Sequence, residues 1–261
     1  MKKYTILLSL VTIIGLSSCK KSVDTTTTTP PSTLPGSPTL SNASGACYAL
    51  VIDALLDNGS GGYDTTTINT PIAWFESTSQ SVDAGTCSVN TAPLVLKDTF
   101  LGIPIANQWY SIRNDYSFNG GTPLAFKQTS SIVWKASGNA STGVPAINYS
   151  DNNPWGKITN FVVPKTLTMS STLNITFSFS NATGNDQLFY LIKGSKGQKT
   201  GTLANNATTL SIGSGELAGL TEKGDQLEVE LIPIKVASST ISGKTYYFVK
   251  EYCINKYVNM Q

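Results

Sequence analysis

Between Leu173 and Phe179 every second residue is apolar: Leu173, Ile175, Phe177 and Phe179 alternate with Asn174, Thr176 and Ser178. Successive side chains of a strand point to opposite faces, whereas a helix needs apolar positions three or four apart. This stretch can bury a face only as a strand with one wet side, and such a face needs a second layer to pack against. The spacing therefore commits this part of the chain to layered sheets. Short runs punctuated by Gly, Asn and Pro repeat the scheme at 71–76, 82–90, 93–97, 108–113, 130–137, 186–193, 208–212, 227–234, 244–249 and 251–258. Residues 46–56 (ACYALVIDALL) are apolar on every side and fit a buried strand or a short helix. Residues 214–220 (SGELAGL) read as one helical turn, with Ser214 as its cap and an early acid. The fold class expected is all-β.

Pro164 interrupts the pattern, so the residues 45–163 and 164–261 are expected to form two β-rich modules. About seven strands after that proline, with a helical turn before the last pair, resemble an immunoglobulin-like β-sandwich. That likeness concerns architecture and implies no activity.

Composition closes off several chemistries. The chain has no histidine, so triads and dyads that move protons through an imidazole are excluded, as are histidine-ligated metals and haem. No Cys-x-x-Cys pair exists for thiolate zinc or dithiol redox work. No metal and no cofactor is expected. Arg113 is the only arginine and, with Lys2 and Lys3 set aside, acids and bases balance, so no nucleic-acid partner is expected either.

The first residues carry an address. Lys2 and Lys3 precede the apolar run 5–15, which is too short to span a bilayer, and Leu16-Ser17-Ser18-Cys19 follows. That sequence resembles the lipobox of bacterial lipoproteins. The resemblance implies that 1–18 is a signal peptide and that Cys19 becomes an acylated first residue holding the protein to a membrane. Residues 19–44, rich in Thr, Ser and Pro, read as a tether that forms no core. At about 3.1 Å per residue its reach is on the order of 50–80 Å. Lipobox, tether and β-rich body together resemble the surface lipoproteins of Bacteroidetes-type bacteria, which implies an outer-membrane location. Asp24-Thr25-Thr26 and Asp64-Thr65-Thr66 resemble the O-glycosylation motif of the same bacteria. In such a compartment disulfides are allowed. Cys47 and Cys87 both fall on inward-facing positions; they form either a pair or, with Cys253, three separate buried thiols.

The most site-like cluster is Trp109 with Arg113 and Asp115. A flat aromatic face suits the apolar side of a sugar ring, and planar polar groups suit its hydroxyls. Trp155, after Asn152-Asn153-Pro154, is expected at the tip of a turn as a second anchor. Trp74 and Trp134 sit in apolar runs and read as core. Glu228 and Glu230 share one strand face opposite Leu227, Val229 and Leu231, and read as its solvated side; a retaining glycosidase would need two carboxyls converging across a bond. Asp57, Asn58 and Asp64 read as a turn and do not match the calcium loop pattern. The function expected is a non-catalytic, membrane-anchored envelope module that binds a glycan or an envelope protein. A purely structural or adhesive module and a histidine-free carbohydrate-active enzyme are the alternatives.

Overall fold

The computed structural model describes residues 40–57, 63–77, 80–100, 103–112, 124, 126, 130–181 and 184–261. The body is all-β with one short helix. Residues 46–56 resolve as strand: β1 (Ala43–Asp57) runs antiparallel to β2 (Tyr63–Ser77), from Gly45 opposite Phe75 to Asp57 opposite Tyr63. A Cβ on Gly45 would meet the Trp74 carbonyl at 2.7 Å, so only glycine lets the two backbones approach there. β3 (Gln80–Ser81) folds back on β2.

The expected strand 82–90 contracts to β4 (Cys87–Val89), because Tyr110 and Asp83 tie down the residues ahead of it as a loop. The turn Asn90-Thr91, with φ of 51° and 133°, leads into β5 (Ala92–Phe100). β6 (Ile103–Ile112), β7 (Ile132–Ala136) and β8 (Ile147–Asp151) complete this half. Next come β9 (Ile158–Val162), β10 (Thr166–Leu167), β11 (Leu173–Phe179), β12 (Gln187–Lys193), β13 (Gln198–Leu203) and β14 (Thr209–Ile212). The helical turn is α1 (Ser214–Leu220), where the Glu216 carboxylate accepts the Gly213 N–H and Leu217 and Leu220 point into the core.

The chain ends in one long hairpin, β15 (Gln226–Ile241) and β16 (Lys244–Met260), closed by Ser242-Gly243 at φ 51° and 76°. Positive φ at both central residues matches the twist of the flanking strands. The runs 244–249 and 251–258 are therefore one strand, and β15 continues seven residues past the expected end at Ile234.

The large sheet has the order β13-β12-β15-β16-β1-β2-β6-β5-β4-β7-β8, with β10 on β16 and β3 on β2; the small sheet is β14-β11-β9. β1 lies parallel to β16 from Ala43–Thr245 to Asp53–Ile254. Residues before and after Pro164 thus share one sheet. They also share one core, which runs from Cys47, Phe75 and Trp134 to Leu188, Leu227 and Phe248. The expected division at 163/164 does not separate two bodies. Pro164 sits instead where the chain leaves the small sheet at β9 and joins the large one at β10, so it breaks a ladder inside a sandwich. Ile158 and Phe161 of β9, with Leu173, Ile175, Phe177, Leu210 and Ile212, face Leu188, Ile192, Leu227 and Val229 of the large sheet.

Strands β12, β15, β16 and β1 are buried on their other face too. Phe189, Leu191, Ile234 and Val249 form a second cluster there, with Ile52 and Cys253 beside it. This corrects the expectation for Glu228 and Glu230. They do alternate with Leu227, Val229 and Leu231, but their face is covered, leaving them 9% and 2% exposed. Near-continuous apolar runs are the mark of a strand covered on both sides.

Candidate functional site

Where the large sheet passes from β2 to β6 and β5, its outer face changes character. Tyr110 fixes which way β6 faces. Its ring is buried edge-on to Phe75 at 5.8 Å, and its hydroxyl donates to Asp83 while accepting the Ala84 N–H at 2.9 Å. The Tyr110 hydrogen bond and the Gly85 N–H hold the Asp83 carboxyl below its ordinary range. Burial, followed by the bond to Asp83, holds the Tyr110 phenol above its own. With Tyr110 pointing inward, Trp109 and Ser111 must point outward. Ser111 Oγ donates to the Pro71 carbonyl at 2.9 Å, tying β6 to β2.

Register then builds a row. Ile72 pairs with Ser111 and Ala73 with Tyr110; the next step puts Trp74 beside Trp109, and Lys97 on β5 lies opposite Trp109. All three side chains are half-buried, and Val95 next to them is exposed. The row covers two strand spacings, about 10 Å. It offers two indole faces and a cation on a rigid sheet.

Trp109 thus faces outward, half-buried, on this row, and Trp74 joins it. Trp74 was expected in the core; it faces out because Pro71, Ala73 and Phe75 take the inward positions of β2. Trp134 is core, as expected. Arg113, Asp115 and Cys19 lie outside the described residues.

Trp155 is a correction. It is 2% exposed, folded under the second layer, with the Lys250 ammonium 5.8 Å from its ring. Gly156 next to it donates its N–H to Asn185 Oδ1 at 2.8 Å, which draws the turn inward. An exposed anchor at 155 is excluded. The cysteines 47, 87 and 253 are buried free thiols; burial raises each, Cys87 to about 12, and Cys47 and Cys87 are close enough to influence one another.

The remaining charged groups serve the fold. Lys250 and Asp151, 3% and 1% exposed, pair at 2.9 Å between the layers. The ammonium is also held by the Asp151 and Asn153 carbonyls, while burial lowers the Lys250 pKa against the pull of Asp151. Asp53 accepts from Thr67 at 2.6 Å and from Tyr252, and pairs with Lys157 at 3.2 Å. Burial raises the Asp53 pKa, but these partners together outweigh it and leave the net shift downward. Glu228 accepts from Asn255 at 3.1 Å and from Tyr257 at 3.3 Å. Burial, then the charge of Glu228 and a hydrogen bond with it, raises Glu230 well above a normal carboxyl. The two sit side by side on one strand, so they can share a proton but do not face each other across a bond to be cut.

No family model, curated protein or solved structure matches this chain significantly. Its chemistry has to be read from its own geometry.

Proposed function

We propose that this protein is a lipid-anchored envelope module, held to the outer membrane through Cys19, whose β body binds glycan on the outer face of β2, β6 and β5. The observation that carries the binding reading is the row Trp74, Trp109 and Lys97: half-buried indoles side by side on a sheet whose backbone cannot give way. Stacking on such faces needs no proton transfer, which suits a chain without histidine. Aromatic anchors of this kind carry most of the energy in small interfaces, at about 2 kcal/mol or more each. The anchor reading rests on Leu-Ser-Ser-Cys and the stretch behind it. We also read residues 164–261, together with β9, as an immunoglobulin-like sandwich, because the small sheet β14-β11-β9 shares one core with β12, β15 and β16 of the large sheet.

Glycan-array binding by the wild type and by Trp74→Ala and Trp109→Ala tests the site. Each replacement is expected to weaken binding about 30-fold, the equivalent of about 2 kcal/mol. Sugar binding unchanged in the joint variant would place the ligand elsewhere. Membrane fractionation of Cys19→Ala tests the anchor separately: release is expected, and full retention refutes it.

A further inference from the structure

The outer face that carries Trp74, Trp109 and Lys97 does not stop at β5. Register carries it on to β4, β7 and β8 in parallel rows of side chains. Two residues along β5 from Lys97, Val95 pairs with Ser111 of β6. On its other side, one step beyond the Cys87–Leu94 pair, Thr86 stands level with it. Thr86 is joined to Ser137: its N–H donates to the Ser137 hydroxyl at 2.9 Å, and the Ser137 N–H donates to the Thr86 carbonyl at 2.9 Å. Two residues further along β5, Pro93 pairs with Ser88, Ser88 with Lys135, and Lys135 with Asn148.

A hollow of about 470 Å³ lies at this end of the face, walled by Thr86, Ser88, Pro93, Lys135 and Asn148. Cys87, Ala136 and Ile147 border it too, but their side chains are buried in the core, so they give it a floor of peptide backbone. Small-molecule sites fall in the range of about 300–1,000 Å³. The Ser137 hydroxyl is spent on Thr86 and on the Gly138 carbonyl. The side chains of Thr86, Ser88, Lys135 and Asn148 have no hydrogen-bond or ion-pair partner among the described residues, and Lys135 and Asn148 are exposed. Two hydroxyls, an amide and an ammonium suit a polyol, and the ammonium adds a preference for negative charge.

Lys97, at the other end of the face, has no acidic partner among the described residues either. From Lys97 to Pro93 is four residues of β5, about 13 Å, and Lys135 lies two strands across from Pro93, about 10 Å, so the two lysines stand about 16 Å apart on the diagonal. These rows carry no carboxylate. Glu76, two residues past Trp74 on β2, stands at the end away from the hollow.

We propose that the hollow is a second subsite of the outer-face site and that the ligand is an acidic glycan of more than one ring, whose sugars lie on Trp74 and Trp109 while its carboxylates or sulfates meet Lys97 and Lys135. This rests on the glycan reading of the tryptophan row and adds the class of sugar and the direction in which the chain runs, from β2 toward β8.

Binding of the full chain to oligogalacturonate and to chondroitin sulfate, beside neutral cello-oligosaccharide and galactan, tests it. The charged chains are expected to bind about 10-fold tighter than the neutral ones at low salt and to lose that preference at about 0.5 M salt, where screening is nearly complete. Lys97→Gln and Lys135→Gln should each weaken the charged chains about 3–5-fold and leave the neutral ones within about 2-fold, with the far-ultraviolet circular dichroism unchanged. Lys223→Gln, an exposed lysine off this face, should change nothing; an equal loss there makes the attraction diffuse and overturns the proposal. Neutral chains bound as tightly as charged ones, and lost in Trp74→Ala or Trp109→Ala, overturn the acidic ligand but leave the tryptophan site standing. Charged chains that feel Lys135→Gln but neither tryptophan variant overturn the tryptophan row, and with it the joined site. Binding to none of the four refutes both.

Discussion

Glu251 should make the protein less stable as the pH rises through neutrality, and replacing it with glutamine should remove that loss. The carboxyl lies on the outer face of β16, in register with Leu50 of β1 and Ile234 of β15. Burial raises its pKa from 4.5 to about 7, and the titratable groups that feel its charge are Tyr48 and Cys253. Between those two pH values the folded state keeps a proton that the unfolded chain has lost. Stability is then complete below about 4.5 and declines as pH climbs through about 7. At about 1.36 kcal/mol per pH unit the full effect is about 3 kcal/mol, of which about 2.5 kcal/mol falls between pH 5 and pH 8. Urea unfolding at both pH values reads it directly, since about 2.5 kcal/mol moves the midpoint by roughly 1 M. Glu230 pulls in the same direction, so the informative quantity is the difference between wild type and Glu251→Gln. The variant is expected to gain on the wild type at pH 8 and nearly match it at pH 5. A glutamine variant whose midpoint falls between pH 5 and 8 as far as the wild type's would refute the reasoning.

Other perturbations probe the interior. Lys250→Met leaves Asp151 buried between the layers without its counter-ion, still accepting from Asn153, and should cost about 3–5 kcal/mol in urea unfolding; Lys250→Met with Asp151→Leu should cost much less. Tyr110→Phe removes the hydroxyl that accepts the Ala84 N–H and donates to Asp83, a loss of about 1–3 kcal/mol. Native protein at pH 8 should resist iodoacetamide at Cys47 and Cys87, whose thiols burial keeps protonated, while urea-unfolded protein labels at both by mass spectrometry.

The strands were legible where periodicity speaks. Leu173–Phe179 fell in place to the residue. Three things were hidden, each for a physical reason. Pro164 announces a break in a ladder, but a proline at a sheet switch and one at a domain boundary look alike in one dimension. The parallel pairing of β1 with β16 joins residues some 200 apart, and nothing local to Ala43–Asp57 names its partner. Glu228 and Glu230 alternate like a wet face, yet Phe189, Ile234 and Val249 share that face, and their apolar runs were the signal that it is covered. Trp109, which the structure turns to the outer face, was singled out from its own neighbourhood. Trp74 could have been found too, by noting that Ala73 and Phe75 alternate against it. Trp155 misled because Asn152-Asn153-Pro154 reads as a solvent turn, while Asn185, which fastens it inward, lies far along the chain.

The entry of the chain through β1 has a mechanical side. In the proposed lipid-anchored arrangement, a pull on the stem would reach Ala43 at the start of a strand flanked on one edge by β16, parallel to it, and on the other by β2. Force in that direction loads the two ladders in shear, so their hydrogen bonds resist together instead of being peeled off one by one. A body so anchored would resist unravelling from its stem under load.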